Sequence, residues 1–263
     1  PYYVHNFGDW NFDCNKELHK SCYRFYTLNE ELADTFTNFV DEMAGKFIGC
    51  GHTILDNFYL NKNYQPTKNY VIYAPHWSIT HPLANHTENF STFDKNGKEI
   101  LEYAKQHPEI NWAFKPHPTL KQILVNTGVM TKDEVENYYN EWEQFAECCY
   151  TSDYIKLFLE SKAMITDCGS FLTEYFCTGK PLLHLISDTC LISPKLISTK
   201  TFRTFYQIHD LDEMYKTFDE VLIHNNDPKK VIRQKILDET GLTNCYAARN
   251  IIEDLEKNLI MEK

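Results

Sequence analysis

The sequence has no apolar run near the ~18 residues that a membrane-spanning helix requires. Its opening, PYYVHNFGDW, has no basic stretch followed by an apolar one. No membrane span and no secretory leader is therefore read from it, and the chain is expected in the cytoplasm. It has no Met at position 1, which reads as a fragment or a processed product. Positive charge is also short: 26 Lys and Arg stand against 37 Asp and Glu, a formal net charge of −11. That balance excludes nonspecific nucleic acid or anionic lipid as a partner for the whole surface. Nine cysteines occur, Cys14, Cys22, Cys50, Cys148, Cys149, Cys168, Cys177, Cys190 and Cys245, with no CxxC spacing and an odd count. A zinc site and a disulfide framework are both disfavoured, leaving small, buried, reduced thiols. No acidic cluster stands at a strand end where Mg²⁺ would sit, so no metal is implied. The sequons at Asn85 and Asn89 read as chance matches without a leader.

What is present is an ordinary globular balance, 43% hydrophobic and 24% charged, in 263 residues, enough for a sizeable core. From about Val71 short apolar runs alternate with amphipathic stretches. VIYAP (71–75), NWAFKPH (111–117), AMITD (163–167) and PLLHLI (181–186) read as strands. Residues 99–106, 119–128, 133–145, 153–162 and 171–180 read as helices, as do 211–222, 228–239 and 245–260. Strands alternating with helices predict an α/β fold: a Rossmann-like parallel sheet with helices on both faces. The strands are apolar throughout, as a sheet covered on both sides requires. Before residue 46 the pattern is less regular, with a strand at Tyr23–Tyr26 and a helix at Asn29–Val40, and KFIGCG (46–51) reads as one more short strand. The polar stretch 60–69 is the best linker candidate.

In open α/β sheets ligands bind beyond the carboxyl ends of the strands, and three such ends carry chemistry. In APHWSITHP (74–82), His76 emerges beside Trp77 and Ser78. It is either an acid–base or phosphate-binding group or a plain loop histidine. In FKPHPTL (114–120), Lys115 and His117 leave the strand on one face, and Pro116 and Pro118 stiffen the turn. That pair suits an anionic leaving group, or else forms a structural proline-rich turn. In ITDCGSFLTEYFCTGKP (165–181), Asp167, Cys168, Gly169 and Ser170 join a strand to a helix. Gly169 would permit a tight turn and Ser170 would cap the helix, whose free N–H groups form a diphosphate site. Glu174, one turn in, is placed for ribose hydroxyls. The alternative is a plain capped βα turn.

The succession APHWSI, FKPHP and ITDCGSFLTEYFCTGKPLL resembles the CDP-glycerol glycerophosphotransferase family over roughly residues 20–225. His76-Trp77-Ser78 stands where the commoner pattern has Thr-Trp-Arg, and Cys168-Gly169-Ser170 where it has Tyr-Ser-Ser. The resemblance implies the C-terminal half of a GT-B-like architecture. Residues 1–45 would be a remnant of an acceptor domain and 46–263 a Rossmann-like domain for a CDP-activated alditol. It implies transfer of glycerol phosphate, or a related alditol phosphate, to a hydroxyl of a lipid-linked or polymer acceptor, with CMP released, in teichoic acid or capsule synthesis. No cofactor beyond the CDP-activated substrate is implied. His117 would contact the donor diphosphate, Ser170 and the backbone after Gly169 would hold phosphate, Glu174 would take ribose hydroxyls and Asp167 would order the turn. His76 would be the further acid–base or phosphate contact. Peripheral association with the inner face of the cytoplasmic membrane is implied as well. The 165–181 turn also resembles that of UDP-sugar epimerases and other GT-B glycosyltransferases. A non-catalytic nucleotide-binding module is the third reading.

Overall fold

The computed structural model describes residues 21–39, 45–82, 89–189, 200–243 and 246–259. Cys14, Cys190, Cys245 and the sequon at Asn85 lie outside these residues; no disulfide joins the other six cysteines to one another. The chain divides into two compact units, residues 1–63 with 235–263, and residues 64–234. The first division falls inside the polar stretch 60–69.

In the smaller unit, β1 (Phe25–Thr27) pairs in parallel with β2 (Phe47–Gly49), and α1 (Glu30–Phe39) connects them. Phe47 lies between Phe25 and Phe36 with ring centroids at 5.1 and 5.3 Å, a small aromatic core. Gly49 is required here, since a Cβ would lie 2.3 Å from the Glu30 nitrogen. A five-residue helix, α2 (Asp56–Leu60), was not evident in the sequence.

The larger unit opens on β3 (Tyr70–Ala74), then α3 (Phe93–Gln106), β4 (Trp112–Phe114), α4 (Leu120–Asn126), α5 (Lys132–Glu143) and β5 (Glu147–Cys148). It continues through α6 (Ile155–Glu160), β6 (Ser161–Thr166), α7 (Gly169–Phe176), β7 (Leu182–Leu185), β8 (Tyr206–Ile208) and α8 (Leu211–Phe218). A π-helical turn (Asp219–Ile223) follows; the division at residues 234/235 falls inside α9 (Lys230–Thr240), and α10 (Ala247–Leu259) belongs to the smaller unit. There Asp56 accepts from the Ala247 and Ala248 amides at 2.6 and 2.9 Å, capping α10 from a distance.

The six strands form one fully parallel sheet, ordered β5-β4-β3-β6-β7-β8. Side-chain alternation sorts its two faces. Val71, Tyr73, Trp112, Phe114, Ile165 and Leu183 pack with apolar residues of α3, α4, α5 and α8. The alternate residues Ile72, Met164 and Leu182 are also fully buried, toward the side of α6 and α7. The expected α/β architecture with a doubly covered parallel sheet is present. The sheet order reverses direction between β3 and β6, and the crevice at their carboxyl ends is where such sheets take ligands. Among the described residues no helix is long and apolar enough to cross a membrane.

Candidate functional site

The two strands at the reversal point are tied at their carboxyl ends by Asp167. Its carboxylate is fully buried and accepts from the His76 amide at 2.5 Å, the Thr92 amide at 2.6 Å and the Thr92 hydroxyl at 3.1 Å. It thus holds the loop after β3 and the start of α3, whereas the sequence suggested that it orders its own turn. Burial pushes its pKa up to about 6 despite those three donors.

Two histidines stand next along the sheet edge, with ring centroids 5.2 Å apart. In each, Nδ1 accepts from the amide two residues on: Ser78 to His76 and Thr119 to His117, both at 3.2 Å. An Nδ1 that accepts leaves the proton of a neutral imidazole on Nε2. Both rings therefore carry Nε2–H. Ser78 reinforces this, its hydroxyl 2.7 Å from His76 Nδ1 while accepting from the Phe90 amide at 3.1 Å. Ser78 is wholly buried, so its hydroxyl serves the loop. Trp77 flanks both rings, at 5.5 and 6.0 Å. Burial first, and then the neighbouring Lys115 ammonium, hold the His117 pKa below its usual value.

Lys115 extends toward the opposite side from Phe114, as strand alternation requires. Only 3% exposed, its ammonium lies 5.7 Å from the Tyr154 ring centre and 5.8 Å from that of Phe171. Its hydrogen bond among the described residues is a long one, 3.5 Å to the Pro116 carbonyl. An ammonium has three donors, so this buried cation is under-satisfied. Burial lowers its pKa.

Phe171 is the third residue of α7, which brings Lys115 to the start of that helix. Cys168 is its N-cap, with no side-chain capping hydrogen bond to the helix backbone, and Gly169 and Ser170 are the first two helical residues. Ser170 does not cap the helix as expected; its hydroxyl lies 3.2 Å from the Cys168 sulfur. The Phe171 amide turns back to the Cys168 carbonyl at 3.1 Å, while the Gly169 and Ser170 amides precede the first i−4 carbonyl of the helix. Gly169 has no left-handed φ, and a Cβ placed on it would meet nothing within 4 Å. The glycine is thus not needed for a tight turn; it leaves open space beside those N–H groups. Farther along α7, buried Glu174 accepts from the Tyr154 hydroxyl at 2.5 Å, and burial raises its pKa to about 7.

His76, Trp77, Lys115, Pro116, His117, Cys168, Gly169, Ser170 and Glu174 thus cluster around the reversal point, with Asp167 and Ser78 as internal supports. Thr92 and Tyr154 were not found from the sequence. Nothing local marks Thr92, which lies 75 residues from Asp167. Tyr154 was visible only as part of an amphipathic helix. The arrangement offers an ammonium, a helix N-terminus and imidazole N–H donors to an anion, with a carboxylate one helical turn away.

No protein-family model and no curated protein sequence matches the chain. Solved structures of similar fold include the UDP-GlcNAc 2-epimerase of Neisseria meningitidis bound to UDP-GlcNAc, 17% identical with a TM-score of 0.54, over 95% of this chain and 65% of that one. The wall teichoic acid polymerase TagF is similar at 16% identity and a TM-score of 0.54, over 91% and 59%. A UDP-N-acetylglucosamine 2-epimerase of Listeria monocytogenes, described as such provisionally, is similar at 13% and 0.52, over 97% and 64%. These likenesses show a GT-B-like fold, of which this chain spans under two thirds.

Proposed function

We propose that the unit 64–234 binds a CDP-activated alditol and that the protein transfers its alditol phosphate to a hydroxyl of a lipid-linked or polymer acceptor. The observation that carries this is the under-satisfied Lys115 ammonium at the start of α7, beside the space left open by Gly169. A buried cation with unmet donors beside a helix N-terminus calls for a multiply charged oxyanion. The diphosphate would lie there, with the ribose hydroxyls toward Glu174. In the transfer, the acceptor oxygen bonds to the β-phosphorus and the bond from that phosphorus to the bridging oxygen breaks. The electron pair departs with CMP. His117, neutral with its proton on Nε2, would donate to an oxygen of the diphosphate as charge builds on the leaving phosphate. His76 would give the second imidazole contact. The acceptor's proton goes to a general base.

Support for the donor class comes from the ordered motifs of the sequence together with the fold shared with TagF. The UDP-sugar reading is the second, because the fold likeness to a UDP-GlcNAc 2-epimerase has the same TM-score. Calorimetric titration with CDP-glycerol, CDP-ribitol, CMP and UDP-GlcNAc separates them. The expected result is selective binding of a CDP ligand, weakened at least about tenfold in His117→Ala by loss of a hydrogen bond to a charged group. Binding of UDP-GlcNAc alone would replace the donor. Unchanged CDP affinity in His117→Ala would remove His117 from the site.

A further inference from the structure

A pocket of about 190 Å³ opens on the far side of the 116–118 turn from Lys115. Pro116, His117 and Pro118 form one wall and α5 the other, and Tyr150, just past β5, closes the end. It shares His117 with the site above. The surfaces of α5 and α6 fall on opposite sides of the sheet, so the pocket is separate from the α7 N-terminus and from Glu174.

Its chemistry is specific. Tyr139 and Tyr150 have ring centroids 5.7 Å apart, tilted by 31°. With the two prolines they supply flat apolar surface. The polar groups are mostly acceptors. Glu143 accepts from the Tyr150 hydroxyl at 2.9 Å, and Glu136 accepts from Lys121 at 2.7 Å. Asn140 is exposed at the rim, and its side chain, with no hydrogen bond among the described residues, offers both a donor and an acceptor. Two carboxylates against one lysine disfavour a free anion. Lys121 already stands over the Tyr139 ring at 5.1 Å, which occupies the face that a cationic ligand would use. Carboxylates and an amide satisfy hydroxyl groups, and ring faces satisfy the C–H surface between them. The volume equals that of about six waters and is below that of drug-sized pockets, which limits the occupant to one small unit.

We infer that this pocket is a subsite for one neutral polyhydroxylated unit, an alditol or a sugar ring. Through His117 it adjoins the place where the transferred phosphorus would lie, so the unit is the transferred alditol or the acceptor's terminal residue. That assignment rests on the proposed function; the binding itself does not.

The test is saturation-transfer NMR on the full chain in glycerol-free buffer, with ribitol, N-acetylglucosamine and tetramethylammonium as probes. CDP is titrated by calorimetry in the same samples. Ribitol or N-acetylglucosamine should bind in the millimolar range and weaken about fivefold or more in Asn140→Ala or Tyr150→Ala, a loss the size of one hydrogen bond or ring contact. The Asn140 change is at an exposed helical position, so the fold is kept. No signal from either polyol, equal signals in the parent and both variants, or preferential binding of tetramethylammonium would each overturn the inference. Polyol binding without CDP binding would sustain the pocket and break its link to phosphate transfer.

Discussion

Replacing Lys115 with Met should move stability and binding in opposite directions. The side chain is 3% exposed and packed between the Tyr154 and Phe171 rings. Without a ligand its ammonium has given up most of its water for one long hydrogen bond and two ring contacts. Leaving a buried polar group under-satisfied costs about 1–3 kcal/mol by mutational measures. Each ring contact returns roughly 0.5–1 kcal/mol. Met has a similar length and keeps the apolar packing. The balance is a gain of about 1 kcal/mol for Lys115→Met, or about 2–4 °C in Tm for a unit of this size. The pH dependence fixes the sign. The folded pKa of Lys115 is depressed, so the unfolded chain takes up its proton first as pH falls from above 10.4. Wild type loses stability between the unfolded and folded pKa values and carries the full penalty below both. The advantage of the Met variant is therefore complete below the folded pKa and shrinks as pH rises toward 10.4. Ligand binding should respond the other way, since a lost hydrogen bond to a charged partner costs about 1.5–3 kcal/mol, or about 10- to 150-fold in Kd. Scanning calorimetry from pH 7 to 10, with CDP titrations at pH 7, measures both. A Met variant that melts lower and binds CDP as wild type does would show Lys115 to be a structural cation, and the phosphate site would lose its main support.

Gly169→Ala should leave stability within about 0.5 kcal/mol, because the added methyl meets no atom of the chain, yet reduce CDP affinity at least about tenfold; calorimetry on both counts decides it. Asp167→Asn should destabilise the larger unit by about 1–3 kcal/mol in urea unfolding, since the two carboxylate oxygens serve different amides and an asparagine turns an N–H against one of them. With its folded pKa raised from 3.8 to about 6, Asp167 should make wild-type stability fall as pH rises across that window, and the Asn variant should lack that slope. Tyr154→Phe removes the hydrogen bond that favours ionised Glu174, so the pH below which CDP binding weakens should move up from about 7; an unchanged midpoint would separate Glu174 from binding.

Strands β3, β4, β6 and β7 were legible because they are apolar on both faces, and their order with the helices predicted a parallel sheet; β8, with Tyr206 and Gln207 only half-buried, was not read. What escaped was short or was set by distant contacts. β5 is two residues long, and Glu147 is exposed, so it has no pattern to read. The first turns of α3, Asp94 to Lys98, look like a loop, because Gly97 and three charged residues interrupt the apolar spacing. They are helical because Thr92 is fixed by Asp167 and the Tyr138 hydroxyl donates to the Gly97 carbonyl at 2.8 Å. The turn after β6 was located correctly but its parts were misassigned. A Gly-Ser pair at a strand end suggests a tight turn and a cap; the dihedral angles and the open space at Gly169 show a regular helix start with a missing side chain.

The FKPHP turn shows why its residues alternate in kind. Phe114 faces α5 and packs on Trp142 with ring centroids 4.9 Å apart. Lys115 faces α7, and Pro116 has no N–H to donate toward the β5 side. His117 is carried past the sheet edge, where its own amide bonds to the Pro75 carbonyl at 3.0 Å and its Nδ1 accepts from Thr119. Both ends of the imidazole's attachment are therefore backbone contacts, one to the end of β3 and one within its own turn. Such a ring keeps its tautomer and direction without a carboxylate behind it. A neighbouring carboxylate would have raised its pKa and favoured the charged form; instead Lys115 and burial lower it. A histidine so placed is suited to donating from Nε2 while neutral near pH 7. The cationic charge at the proposed phosphate site thus falls to Lys115, and proton donation to His117, two roles separated by a single proline.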